Sequence, residues 1–177
     1  MLGAERITSL TQDHPNARHC NNAYGAIRDA ELRAHPWGFA KKRAVLTPHA
    51  MAPAFDFTYA FPLPSDCLRP LPPARTDLDW QIENHEGANA ILTNDGSSIN
   101  LTYIARVTDP VLFDPLFVLA LAASLARHLA EPITQSNTKK EAAGNWYKAV
   151  MSQARLANAI EQIATEAPED PWLAARR

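Results

Sequence analysis

The sequence predicts an α+β fold: a mainly helical bundle with a small antiparallel β-rich insertion at about residues 38–107 and an extended C-terminal tail. Three observations predict it. Stretch 108–132 is apolar on nearly every side, a pattern reserved for a helix at the centre of a core or inside a membrane. A regular apolar stripe at helical spacing follows over about 139–165. Between them and the N-terminal helix, over 37–107, the prolines concentrate and short alternating runs replace helical spacing.

Taken in order, residues 1–10 are short and modestly apolar, with Leu2, Ile7 and Leu10 as anchors. Asp13 or His14 followed by Pro15 opens a helix over about 14–34, since a polar cap serves the free N–H groups and proline lacks only a donor that has no partner there. Ala17, Cys20, Tyr24, Ile27 and Ala30 mark its apolar face, and His35-Pro36 closes it. Gly25 inside this helix costs up to about 1 kcal/mol against alanine and is expected to mark a close helix contact.

Strands are expected at 39–47, 55–61, 78–84, 88–93 and 99–107. The run Asn94-Asp95-Gly96-Ser97-Ser98 supplies turn residues for a hairpin between the last two. Residues 62–75, PLPSDCLRPLPPAR, cannot be a central strand, because proline offers no ladder donor, and are expected as an extended surface segment.

Asp109-Pro110 and Asp114-Pro115 are two helix starts in succession. A helix begun at the first would carry Pro115 inside it at a cost of roughly 3 kcal/mol, so a short turn precedes a central buried helix over about 115–130, stopped by Pro132. At about 1.5 Å per residue this helix spans about 24 Å, less than the roughly 30 Å hydrocarbon slab, which assigns it to a core with no membrane contact. The polar connector Gln135 to Thr138 then caps a long helix over about 139–165, with Ala142, Trp146, Val150, Ala154, Ala157, Ile160 and Ala164 on one face. EAPEDPWLAARR, residues 166–177, breaks that pattern with two prolines. The expected organisation is one domain over 1–165 and a C-terminal arm over 166–177.

A chain of 177 residues has enough length for a real core, and its formal net charge of −2 gives no general reason to grip nucleic acid. Cys20 and Cys67, without metal-ligand spacing, read as small hydrophobes of a reducing compartment. Glu5 and Arg6 interrupt the leading segment where a secretory signal would be apolar, so synthesis in the cytoplasm is expected.

No motif carries recognisable catalytic chemistry. The six histidines, His14, His19, His35, His49, His85 and His128, never fall in a ligand-spaced pair, so no metal is expected, and the scattered glycines make no phosphate loop and imply no cofactor. Asp77, Asp79, Glu83 and Glu86 cluster around Trp80 in the manner of a sugar-binding platform with paired acids, although acids on the solvent side of a strand are the ordinary case. Ser65-Asp66 and Ser97-Ser98 fit turn chemistry. Lys41, Lys42 and Arg43 form the densest basic run. Strand alternation would split it between two faces, the arrangement of a solvated edge strand protected by charge.

The order of longer motifs is more informative. MLGAERITSL, IRDAELRAHPW, FAKKRAVL, FPLPSDCLRPL, LTYIARVTDP and FDPLFVLALAASLARHLAEPITQSNTKK together resemble the tail tubular protein A family of short-tailed bacteriophages, over about residues 3–157. The resemblance implies a structural virion protein, a head-to-tail adaptor or connector. Its subunits would form a homo-oligomeric ring, a dodecamer, between the phage portal protein and the tail nozzle protein. The ring would help to retain packaged double-stranded DNA, which passes through it without sequence-specific binding, and form part of the genome-ejection channel. The resemblance also implies that the last segment reaches the portal, with Trp172 and Leu173 as anchor and Arg176 and Arg177 as rim. A further helical stretch before the LGAERITSL motif is implied too, and with Met1 directly ahead of that motif the first bundle helix is expected to be short. The alternative is a cell-wall hydrolase carried in the tail, with the acids around Trp80 cleaving peptidoglycan or polysaccharide.

Overall fold

A computed structural model describes residues 2–73 and 78–162. The first helix, α1 (Pro15–Ala34), begins as its residues dictate: Pro15 occupies the first helical position and the His14 ring accepts from the Asn16 N–H at 3.1 Å. Six strands follow, β1 (Lys41–Leu46), β2 (Tyr59–Pro62), β3 (Cys67–Pro70), β4 (Trp80–His85), β5 (Ala88–Thr93) and β6 (Ile99–Ala105). A one-turn helix at Pro110–Leu112, capped by Asp109, leads into α2 (Pro115–Thr134), and α3 (Asn137–Ile160) ends the described chain apart from two residues.

The strands form two antiparallel three-stranded sheets, in the orders β1-β6-β3 and β2-β5-β4. Of the described residues 45% are helical and 21% lie in strands. This overturns the expectation of a mainly helical bundle with a small β insertion. The physical reason lies in 41–105, which buries a core of its own: Leu46, Phe61, Ile91, Ile99, Leu101, Tyr103 and Ala105 draw on both sheets and close them face to face. Two of the expected details also fail. The run 94–98 makes no hairpin, because β5 and β6 belong to different sheets, and Asp95 accepts from the Ser97 N–H at 2.8 Å to turn the chain from one sheet to the other. The true hairpin joins β4 and β5 through Glu86 and Gly87, both at positive φ, 51° and 81°. The proline-rich segment does contribute β3, but as a short, bulged edge strand.

The helices pack around a second core of Ile27, Leu32, Trp37, Phe113, Phe117, Ala120, Leu121, Val150, Met151 and Ala154. Trp37 is its centre: its ring lies 5.1 Å from Phe117 and 4.7 Å from His35, both edge-on, and its Nε1 donates to the Glu31 carbonyl at 3.0 Å. Strand β6 joins the two cores. Ile104 faces the helices, while Leu101, Tyr103 and Ala105 face the other sheet, as the two-residue period requires.

Pro132 does not stop α2. It sits in the last turn, where it forfeits one backbone bond, and the helix runs on to a left-handed Gln135 (φ 51°) whose N–H reaches the Glu131 carbonyl at 2.9 Å. At 20 residues α2 is long and apolar enough to span a bilayer, so its length cannot assign it, but Phe117, Ala120, Leu121, Ser124 and Ala130 are buried against protein. The all-round burial expected of this helix fails, since Val118 and Leu119 are exposed. Gly25 marks no close contact; a side-chain carbon there would meet open space. The stripe of α3 is shifted: Ala143, Val150, Met151, Ala154 and Asn158 are buried, whereas Ile160 is exposed. The helix is described only to Ile160, and the rest of the expected 139–165 span lies largely outside the described residues.

Two polar joints lock the helices. Glu31 of α1, 7% exposed, accepts from Ser124 Oγ of α2 at 2.6 Å and from the Tyr147 hydroxyl of α3 at 3.0 Å. Asn158 of α3 accepts from the Gly38 N–H at 2.8 Å and sets its Nδ2 at 2.9 Å from His35 Nε2, which receives that proton as a neutral ring. Burial, with Arg155, Arg69 and Lys41 nearby, lowers the His35 pKa below 6.5.

Glu31→Ala leaves the buried Ser124 hydroxyl and the half-buried Tyr147 hydroxyl without this acceptor, so urea unfolding at neutral pH should lose roughly 1–3 kcal/mol. His35 binds its proton more weakly folded than unfolded, so its stabilising contribution is complete above the unfolded pKa and is lost as pH falls through 6.5 towards the folded value. The urea midpoint should therefore drop between pH 7.5 and pH 5.5, and the drop should shrink in His35→Gln.

Candidate functional site

Trp80 and the acids expected around it lie on opposite sides of β4. Trp80 turns towards the core between the sheets, while Asp79, Gln81 and Glu83 line a cleft of about 710 Å3 on the opposite face. Segment 51–57 forms its other wall and brings Asp56, Phe55 and Phe57; Glu86 and His85 close one end. This wall is pinned from both sides: His85 Nε2 lies 3.0 Å from the Met51 carbonyl, and Asn94 Oδ1 accepts from the Thr58 N–H at 2.9 Å. Asp56 turns the segment at a φ of 65°. The structure thus brings Asp79, Glu83 and Glu86 together and adds Asp56, but removes the aromatic platform that a sugar-cleaving site of the expected kind would use. Asp77 lies outside the described residues.

The basic run lies on β1, which forms one edge of its sheet as its charges imply. Lys42 donates to Asp66 at 2.7 Å, and the Tyr103 hydroxyl donates to the other oxygen of the same carboxylate at 3.0 Å. The bond from Lys42 holds the Asp66 pKa below 3.8, and burial with that same carboxylate pushes Tyr103 up to about 12. Lys41 Nζ donates to Gln162 beyond the end of α3. Burial raises the Cys67 thiol to about 11, and both cysteines are free and half-buried, fitting their reading as small apolar residues.

Trp172, Leu173, Arg176 and Arg177, the expected portal contacts, lie outside the described residues. A surface that the sequence reading missed lies within them. Val111 (88% exposed), Leu112, Val118 and Leu119 leave the start of α2 apolar and uncovered, and Leu156 and Ile160 do the same near the end of α3. The two helices are antiparallel, as the contacts Glu131 to Lys140 and Arg127 to Tyr147 establish, so both groups occupy the same end of the hairpin. The sequence holds a partial signal, the missing polar side of α2, which does not separate a core face from an exposed one.

No family model matches the chain, and no curated protein matches it.

Tyr103→Phe removes one donor from the Asp66 carboxylate. Its titration, followed by carbon NMR of the side-chain carboxyl, should move to higher pH, while Lys42→Met should move it further because that bond is the larger cause of the shift.

Proposed function

We propose that the chain is a structural subunit of a short-tailed phage virion, a head-to-tail adaptor that assembles with copies of itself beneath the portal protein and offers a docking surface to the tail nozzle protein. The order of motifs from LGAERITSL to EPITQSNTKK suggests the family, and one structural observation carries the reading: the uncovered apolar end of the α2 and α3 hairpin, at Val111, Leu112, Val118, Leu119, Leu156 and Ile160. Such a surface is costly on a free subunit and is of use to one that is covered on assembly. The formal charge of −2 suits a channel that lets DNA pass, since each Lys or Arg that neutralises a phosphate strengthens the grip. In this reading Trp172, Leu173, Arg176 and Arg177 contact the portal, and the protein works by retaining packaged DNA and lining its exit, without catalysis.

Electron microscopy and sedimentation of the purified protein, alone and mixed with portal rings, test this. Rings or portal-bound density at micromolar concentration are expected; their absence in both samples would sink the proposal. Replacing Trp172 with Ala and Arg176 and Arg177 with Glu should weaken portal attachment at least tenfold with no change in the unfolding midpoint. A zymogram of Asp79→Asn with Glu83→Gln separates the hydrolase alternative, which requires that clearing of cell wall be present in the parent chain and lost in the variant.

A further inference from the structure

Each sheet has two edges, and the described residues cover one edge in each. The outward carbonyl of Leu68 on β3 is taken by the Arg33 guanidinium of α1, and that of Ala60 on β2 by the His49 N–H at 2.7 Å. Strands β1 and β4 remain: at the start of β1 the Lys41 N–H is taken by the Gly38 carbonyl, and beyond that no further strand pairs with their outer sides among the described residues.

Which of their groups point outward follows from the ladders. The Leu71 N–H bonds the Thr102 carbonyl, so Thr102 faces β3 and its neighbour Tyr103 faces β1, where it is paired with Lys42. Alternation then points the backbone groups of Lys41, Arg43 and Val45 away from the sheet. Likewise the Leu63 N–H bonds the Asn89 carbonyl, so Ala90 faces β4 and its partner Glu83, and Trp80, Ile82 and Asn84 point their backbone groups outward. These two edges are opposite in charge. Lys41, Lys42 and Arg43 mark β1, whereas Asp79, Glu83 and Glu86 mark β4. Each edge also holds one exposed branched apolar residue, Val45 at 68% and Ile82 at 45%.

We propose that copies of this chain join head to tail by strand addition, with the outer edge of β4 in one copy pairing antiparallel with the outer edge of β1 in the next, Val45 opposite Ile82. Both residues offer outward N–H and C=O groups, so the pairing closes a ladder of backbone bonds. In that register Lys42 is diagonal to Glu83, and Lys41 and Arg43 lie beside the turn that carries Glu86, within reach of attraction between opposite charges. Opposite charge on the two edges disfavours β1 with β1 and β4 with β4, so the contact is heterologous and generates a closed ring or an open helix. The inference specifies the self-association that the adaptor reading requires and rests on that reading.

The test uses the full chain with Cys20→Ser and Cys67→Ser, carrying Val45→Cys and Ile82→Cys. A hydrogen-bonded antiparallel pair sets its Cα atoms about 5.5 Å apart, within the range a disulfide bridges. Oxidation of the assembled protein should give a ladder of covalent multimers on denaturing gels. Ile82→Pro removes only an outward N–H, which an edge tolerates in the monomer, so it should keep the far-ultraviolet dichroism and abolish assembly. Arg43→Glu should weaken assembly at least tenfold and Glu86→Arg should restore it. Multimers in the microscope with no ladder, or assembly undisturbed by Ile82→Pro, overturn the interface and leave the adaptor reading standing. A ladder that stops at dimers overturns the head-to-tail order. If the parent chain fails to assemble at any concentration, with or without portal rings, both fall.

Discussion

The carboxylate of Glu31 is the constraint on which the helical half depends. It lies at 7% exposure, its two oxygens accept from Ser124 of α2 and Tyr147 of α3, and the carbonyl of the same residue accepts from Trp37. Helix α1 buries only Ala17, Ile27 and Leu32 as apolar side chains. Dispersion alone would leave its orientation loosely defined, whereas a buried carboxylate tolerates only the arrangement that satisfies it. With α1 fixed, His35 and Trp37 fall where Asn158 and Phe117 need them, and the corner from helix to β1 is set from both sides.

From that corner the chain runs into a strand region that is more than an insertion. Strand β6 lies at the centre of its sheet with β1 on one side and β3 on the other, and its two faces enter different cores. The ion pair of Asp29 with Arg106, at 2.8 Å, ties α1 to the segment that leaves β6. Helices and sheets are therefore mechanically continuous through one strand. The outer edges of β1 and β4 and the exposed apolar end of α2 and α3 lie on different elements.

Local chemistry was readable where it depends on neighbours in sequence. His14 before Pro15, Asp109 before Pro110 and Asp114 before Pro115 mark helix starts that the fold uses as written, because a cap and a missing donor act within one turn. Strand β5 matched its expected span for the same reason, as a short apolar run bounded by turn residues. Pro132 misled because the cost of proline depends on its position in a helix: in the last turn it removes one bond, and Gln135 supplies the real end. Asp95 and Gly96 misled because a turn signal fixes a change of direction and says nothing of which strand comes next.

The sequence by itself determined the helix starts, most strand positions, the basic character of one edge and the apolar bulk of α2, since each arises from interactions within a few residues. Only the tertiary structure decided the rest. It split the strands into two facing sheets, buried Glu31, turned Trp80 away from the acids that flank it, left Val118 and Leu119 of the most apolar helix exposed, and placed β1 and β4 at sheet edges with no further strand beside them among the described residues. All of these depend on partners tens of residues away. Stretch 108–132 announces its apolarity in its composition, but which part of it is a core and which part a surface is set by where α1 and α3 come to rest.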